Sequence, residues 1–225
     1  QHMFCARLDM NVDGMKNTVS QVDVVPQLVD EETGRPTTEN PFGNVFGPRE
    51  TILKTESEAV CAYDATKART WKISNAEGKV NPISGKPVAY KLVPFTRGPA
   101  QPPLLTHPES CAVSHKGAFA TAHLWVTKNN KDERYPAGNY TPQAQEPDGL
   151  PKWIEANRNI EAEDVVLWHS FGVTHVPRVE DFPVMPCETT GFTLKPDGFS
   201  SGNPAIDLPP ETNEKSQLST TGCCD

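Results

Sequence analysis

The 225-residue chain carries 21 Lys and Arg against 29 Asp and Glu. The resulting net charge of −8 argues against a nucleic-acid-binding face, which needs a basic surface. Only 36% of the residues are hydrophobic, and no apolar run reaches the ~20 residues that span a bilayer. With 22 prolines and 15 glycines and few helical periodicities, the chain predicts an all-β protein with long loops. The cysteines, Cys5, Cys61, Cys111, Cys187, Cys223 and Cys224, lack C-x-x-C metal spacing. They define no disulfide framework, which leaves the redox compartment open.

Residues 2–8 read as a strand with no turn or cap before it, which suggests a piece of a longer polypeptide. Asp9-x-Asn11-x-Asp13-Gly14 imitates the start of an EF-hand, but the twelfth loop position would be Ser20 rather than Glu. A turn is the simpler reading. Residues 18–25 are β-branched and predict a strand, and residues 29–49 predict a loop rich in Gly and Pro. Further strands are expected at 51–54, 70–74, 88–93 and 120–128, with a helix or turn around 109–117. Residues 129–132 suggest a hairpin turn that returns through 133–137. Residues 151–158 are the best helix candidate, with Pro151 in the first turn.

Val165-Val166-Leu167-Trp168 opens a buried strand that Gly172 is expected to break. His169 and His175 then flank a turn, with Glu180 and Asp181 just beyond. On residue types alone these imidazoles are either hydrogen-bonded core groups or ligands for copper, zinc or iron. Residues 189–194 predict another strand. Residues 210–225 form a polar tail expected to be disordered, leaving 1–209 as one folded unit.

The stretch Ser170-Phe-Gly-Val-Thr-His175-Val-Pro-Arg-Val-Glu180-Asp181-Phe-Pro183 resembles the second copper-ligand motif of the copper amine oxidases. That motif is Thr-x-Gly/Ser-x-x-His-aliphatic-x-x-x-Glu-Asp/Glu-x-Pro. Six of its seven constrained positions match; Ser170 stands where the motif has Thr. Residues 123–128 (His-Leu-Trp-Val-Thr-Lys), 134–140, 157–161 and 191–196 also resemble stretches of that family's C-terminal domain, in a style closest to its fungal members.

The resemblance implies a fold and a set of sites. The fold would be all-β: the C-terminal part of a large antiparallel β-sandwich catalytic domain, incomplete at its N-terminal side. His175 would bind copper. Gln1-His2 fits the end of the family's Asn-His-Gln-His pattern, whose histidines share one strand face, so His2 would be a second copper ligand. A hard-cation site for calcium or manganese would use Asp9, the Met10 carbonyl, Asn11, Asp164 and the Val165 carbonyl. Asn11 replaces a family Asp there and removes one negative charge. His169 would be hydrogen-bonded in the core behind these ligands. Tyr140 is not the quinone precursor, because Thr141-Pro142 breaks that motif; it is read as a strand aromatic.

The implied activity is a copper- and topaquinone-dependent oxidation of a primary amine. With O2 and water it yields an aldehyde, ammonia and hydrogen peroxide. In the family the precursor Tyr, the catalytic Asp base and the first copper His lie upstream of the position of Gln1. No catalytic residue is therefore expected within this chain, and the chain alone is expected to be inactive. The resemblance also implies a homodimeric parent that engages neither nucleic acid nor membrane. An intracellular location, cytoplasmic or peroxisomal, is favoured, although Gly222-Cys-Cys-Asp225 is not a peroxisomal Ser-Lys-Leu signal. The alternative from another class is a non-catalytic β-sandwich binding module with a structural calcium site.

Overall fold

The computed structural model describes residues 1–95, 104–106, 115–144, 148–206 and 208. The polar tail and most of the segment around 109–117 lie outside the described residues. Among the described residues there are eight strands: β1 (His2–Asp9), β2 (Thr18–Pro26), β3 (Phe46–Leu53), β4 (Thr70–Ser74), β5 (Ala89–Pro94), β6 (Leu124–Lys128), β7 (Val165–Val173) and β8 (Phe192–Asp197). They form two antiparallel sheets, one ordered β1-β7-β6 and the other β3-β2-β4-β5-β8. A short helix, α1 (Leu150–Trp153), carries Pro in its first turn. No helix among the described residues is long and apolar enough to cross a membrane.

β7 explains how the layers stack. It is the middle strand of its sheet, and residues Val165 to Ser170 are all buried. Successive strand residues point to opposite faces, so a strand covered on both sides reads as a continuous apolar run. Val165 and Leu167 join Leu124 and Val126 against Val19, Trp71, Ile73 and Leu92 of the larger sheet, which makes the sandwich core. Val166 and Trp168 face the other way, onto Trp125 and Leu150 of α1. Burial of this kind stabilises by roughly 25 cal/mol per Å² of apolar surface, so β7 anchors both cores.

Gly172 does not break β7; the strand runs through it to Val173. A Cβ placed on Gly172 would lie 2.2 Å from the His2 carbonyl oxygen and 3.1 Å from Met3 Cα. The missing side chain is what allows β1 to close onto β7 with His2 opposite Val173. Gly172→Ala is therefore expected to cost about 1–3 kcal/mol by forcing β1 outward. Denaturant unfolding of the variant measures this, and unchanged stability would contradict the packing.

Several elements differ from the sequence expectation for local reasons. β3 starts at Phe46, inside the predicted loop, because an edge strand tolerates Pro48. The predicted strand from residue 120 begins only at Leu124, after a 3-10 turn over Ala118–Thr121. The expected hairpin after Asn129 does not form. Glu133 N–H donates to the Asn130 carbonyl at 3.0 Å and the Glu133 carboxylate pairs with Arg158, which closes the turn on itself. β6 pairs with β7 instead. The predicted 151–158 helix gives way to a 3-10 turn (Ile154–Ala156), stopped by Asn157 at φ 45°. β8 starts at Phe192, three residues after the predicted start at 189. Tyr140 is exposed on a turn rather than lying in a strand.

Candidate metal centre

The two candidate copper ligands lie at one end of the three-stranded sheet. The Gln1 side chain fixes the start of β1 there: its Nε2 donates to Thr174 Oγ1 at 2.6 Å and to the Leu104 carbonyl at 3.0 Å. Its Oε1 accepts from Thr106 N–H at 2.8 Å. Gln1 is thus tied to the residue before His175, while His2 pairs with Val173. Sequence reasoning had assigned Gln1 no role.

His175 is half-buried, and its Nε2, like that of the fully buried His169, is a buried atom with no hydrogen-bond partner among the described residues; only His175 lies at an open hollow. An imidazole nitrogen left without a partner is a polar group that a metal ion can satisfy, so the residues present suit copper. His175 lines a hollow of about 310 Å³ with Asp181 and Glu188. His2 lines a second hollow of about 420 Å³ with Phe4, Phe171 and the same Glu188. Glu188 thus borders both hollows. Among the described residues, no cluster of three or more His, Cys, Asp or Glu side chains is placed to hold a metal ion.

Of the acidic pair that follows His175, Asp181 serves the loop. Asp181 accepts from Arg178 N–H at 2.9 Å and from its guanidinium at 3.0 and 3.2 Å, capping the 3-10 turn Val179–Asp181. Those hydrogen bonds, with a smaller contribution from nearby His175, hold the Asp181 carboxyl below its usual range.

His169 belongs to the core. It is fully buried between the sheets, its Nδ1 lies 2.7 Å from the His123 carbonyl, and Phe171 and Phe192 pack on its ring. The carbonyl accepts, so Nδ1 carries the proton. Burial pushes the imidazole pKa down to about 4 from 6.5. Unfolding therefore takes up a proton between those values. The stability that neutral His169 contributes is complete above about pH 6.5 and is lost as pH falls toward 4. The expected loss is on the order of 3 kcal/mol. Unfolding curves across that window should show the slope in the wild type and lack it in His169→Phe; identical slopes would contradict the assignment. Burial also pushes the Cys5 thiol up to about 12 and the Cys61 thiol up to about 11, so neither is a thiolate at neutral pH.

At the opposite end of the sheet, Asp9 closes β1 opposite Val166, and Asp164 immediately precedes β7. Met10 N–H donates to the Val165 carbonyl at 3.3 Å. Asn129 Nδ2 reaches Asp164 Oδ2 at 3.1 Å and Asp9 Oδ1 at 3.5 Å. Those two oxygens are thus no farther apart than the sum of these distances. Asn11 Oδ1 accepts from Gly14 N–H at 3.2 Å, within its own turn. The second oxygen of Asp164, Oδ1, is buried without a partner. A buried acceptor left unmade is costly, and a hard cation is a suitable partner for it.

The antiparallel β-sandwich agrees with the fold of known proteins. The profile described as copper amine oxidase, enzyme domain, matches residues 1–215, and the chain belongs to that family. It is 43% identical over 209 residues to histamine oxidase of Arthrobacter globiformis, a match covering 93% of this chain and 28% of that protein. It is 44% identical over 218 residues to copper amine oxidase 1 of Schizosaccharomyces pombe, covering 95% and 29%. The crystal structure of a copper-containing benzylamine oxidase from Hansenula polymorpha superposes with a TM-score of 0.78 at 36% identity. That match covers 92% of this chain and 30% of that one. The chain thus spans less than a third of these relatives.

Proposed function

We propose that this chain is the C-terminal portion of the catalytic domain of a copper- and topaquinone-dependent primary-amine oxidase. Such an enzyme converts a primary amine, O2 and water to an aldehyde, ammonia and hydrogen peroxide. The observation that carries the reading is the buried, unpartnered Nε2 of His175, in a half-buried residue next to the Thr174–Gln1 clasp that sets His2. His175 and His2 would hold the copper. Topaquinone would supply the carbonyl chemistry that oxidises the amine, and copper, held by His175 and His2, would supply the redox-active metal for the reaction with O2. This chain's own residues do the positioning. Gln1 ties β1 to Thr174, Gly172 lets β1 close, and the Arg178–Asp181 pair shapes the loop after His175.

A second, hard-cation site is part of the same proposal. Asp9, Asp164 and the Met10 and Val165 carbonyls would form it, with Asn11 beside them. The site would brace the sheet rather than take part in the chemistry. The catalytic base and the quinone precursor are proposed to lie outside these 225 residues. The 225-residue chain, loaded with copper and given benzylamine or methylamine, is therefore expected to release no hydrogen peroxide. A polypeptide extended upstream should release it and react with phenylhydrazine at its quinone. Peroxide from the chain alone would overturn the division of labour.

A further inference from the structure

We propose that Asn129 is a latch on the second cation site and that Arg7 holds the latch shut. The inference rests on the reading of Asp9 and Asp164 as a cation site. Arg7 Nη1 donates to Asp9 Oδ2 at 3.1 Å, and Arg7 Nη2 donates to Asn129 Oδ1 at 3.2 Å. Asn129 Nδ2 then reaches both carboxylates. A guanidinium can only donate and an ionised carboxylate can only accept. The amide orientation follows: its oxygen faces Arg7 and its NH2 faces the acids. The guanidinium is itself steadied over the Trp168 ring, 5.6 Å from the centroid. The backbone adds to this, because Asn129 N–H donates to the Asp164 carbonyl at 2.8 Å and so keeps the side chain over the acids.

In this state the protein fills the site with its own donors. The fill is incomplete, since Asp164 Oδ1 stays buried without a partner. A divalent cation would satisfy that oxygen and would repel the amide NH2. Half a turn of the Asn129 amide presents Oδ1 to the cation instead, and amide oxygens are ordinary ligands for calcium. The same rotation gives up the bond to Arg7. Cation binding and the Arg7–Asn129 bond therefore exclude each other, and the latch sets the affinity. Asn11, whose oxygen is engaged by Gly14 N–H, contributes less.

Calcium titration by calorimetry on the metal-free chain tests this, with the unfolding of each variant checked in chelator. Asp164→Asn should abolish the binding heat. Asn129→Asp removes the NH2 donors and adds a charged ligand, and should tighten calcium by about tenfold or more, beyond the gain from Asn11→Asp. Arg7→Lys keeps the charge but lacks the fork that grips Asp9 and Asn129 together, and should also tighten calcium. If Asp164→Asn abolishes binding while either Asn129→Asp or Arg7→Lys fails to tighten it, the latch is overturned and the cation site stands. If Asp164→Asn leaves binding unchanged, the cation reading itself fails and the latch falls with it.

Discussion

Glu56→Ala should destabilise the chain by about 3–5 kcal/mol, the cost of removing one partner from a buried ion pair. Glu56 is completely buried, and its carboxylate accepts from Arg158 N–H at 2.8 Å, Arg158 Nε at 2.8 Å and Lys128 N–H at 3.1 Å. Arg158 also pairs with Glu133 at 3.0 Å. Truncation would leave the guanidinium with Glu133 alone and would strand two backbone donors. Because Lys128 ends β6 and Asn129 follows it, the loss should also loosen the amide over Asp9 and Asp164. Denaturant unfolding reads the stability directly. A cost below about 1 kcal/mol, typical of an exposed pair, would show that the network contributes little.

His175→Ala, made in a longer polypeptide that carries this chain, should abolish tight copper binding and leave the quinone absorbance undeveloped. The substitution removes the imidazole that lines the hollow beyond β7 with Asp181 and Glu188. His169→Ala should retain copper in part, since His169 is fully buried, with Nδ1 held by the His123 carbonyl and the ring enclosed by Trp71 and Phe192. Metal analysis and the visible spectrum of both variants separate the roles. Full copper and full quinone in His175→Ala would remove His175 from the ligand set.

What could be read from the chain depended on whether the determining contact was local. β4 matches its predicted bounds because Trp71 and Ile73 alternate onto the core, a pattern carried by five consecutive residues. His175 stands out as a candidate because the motif that carries it is contiguous. His169 was ambiguous, since a buried imidazole looks the same in sequence whether its partner is a metal or the carbonyl of His123, 46 positions away. Gly172 read as a breaker because its neighbour, the His2 carbonyl, comes from the far end of the chain. Asn129 read only as a turn residue. Its contacts to Arg7, Asp9 and Asp164 exist only after β1, β6 and β7 have paired. Gln1 was silent for the same reason, as its partners are Thr174 and residues 104–106.

Pulsed EPR of copper(II) bound to the longer polypeptide tests the central assignment most directly, because it counts imidazole nitrogens on the metal. His2→Ala and His175→Ala should each remove one imidazole from the copper spectrum, and His169→Phe should remove none. A copper spectrum that keeps its full imidazole count in His175→Ala would contradict the account.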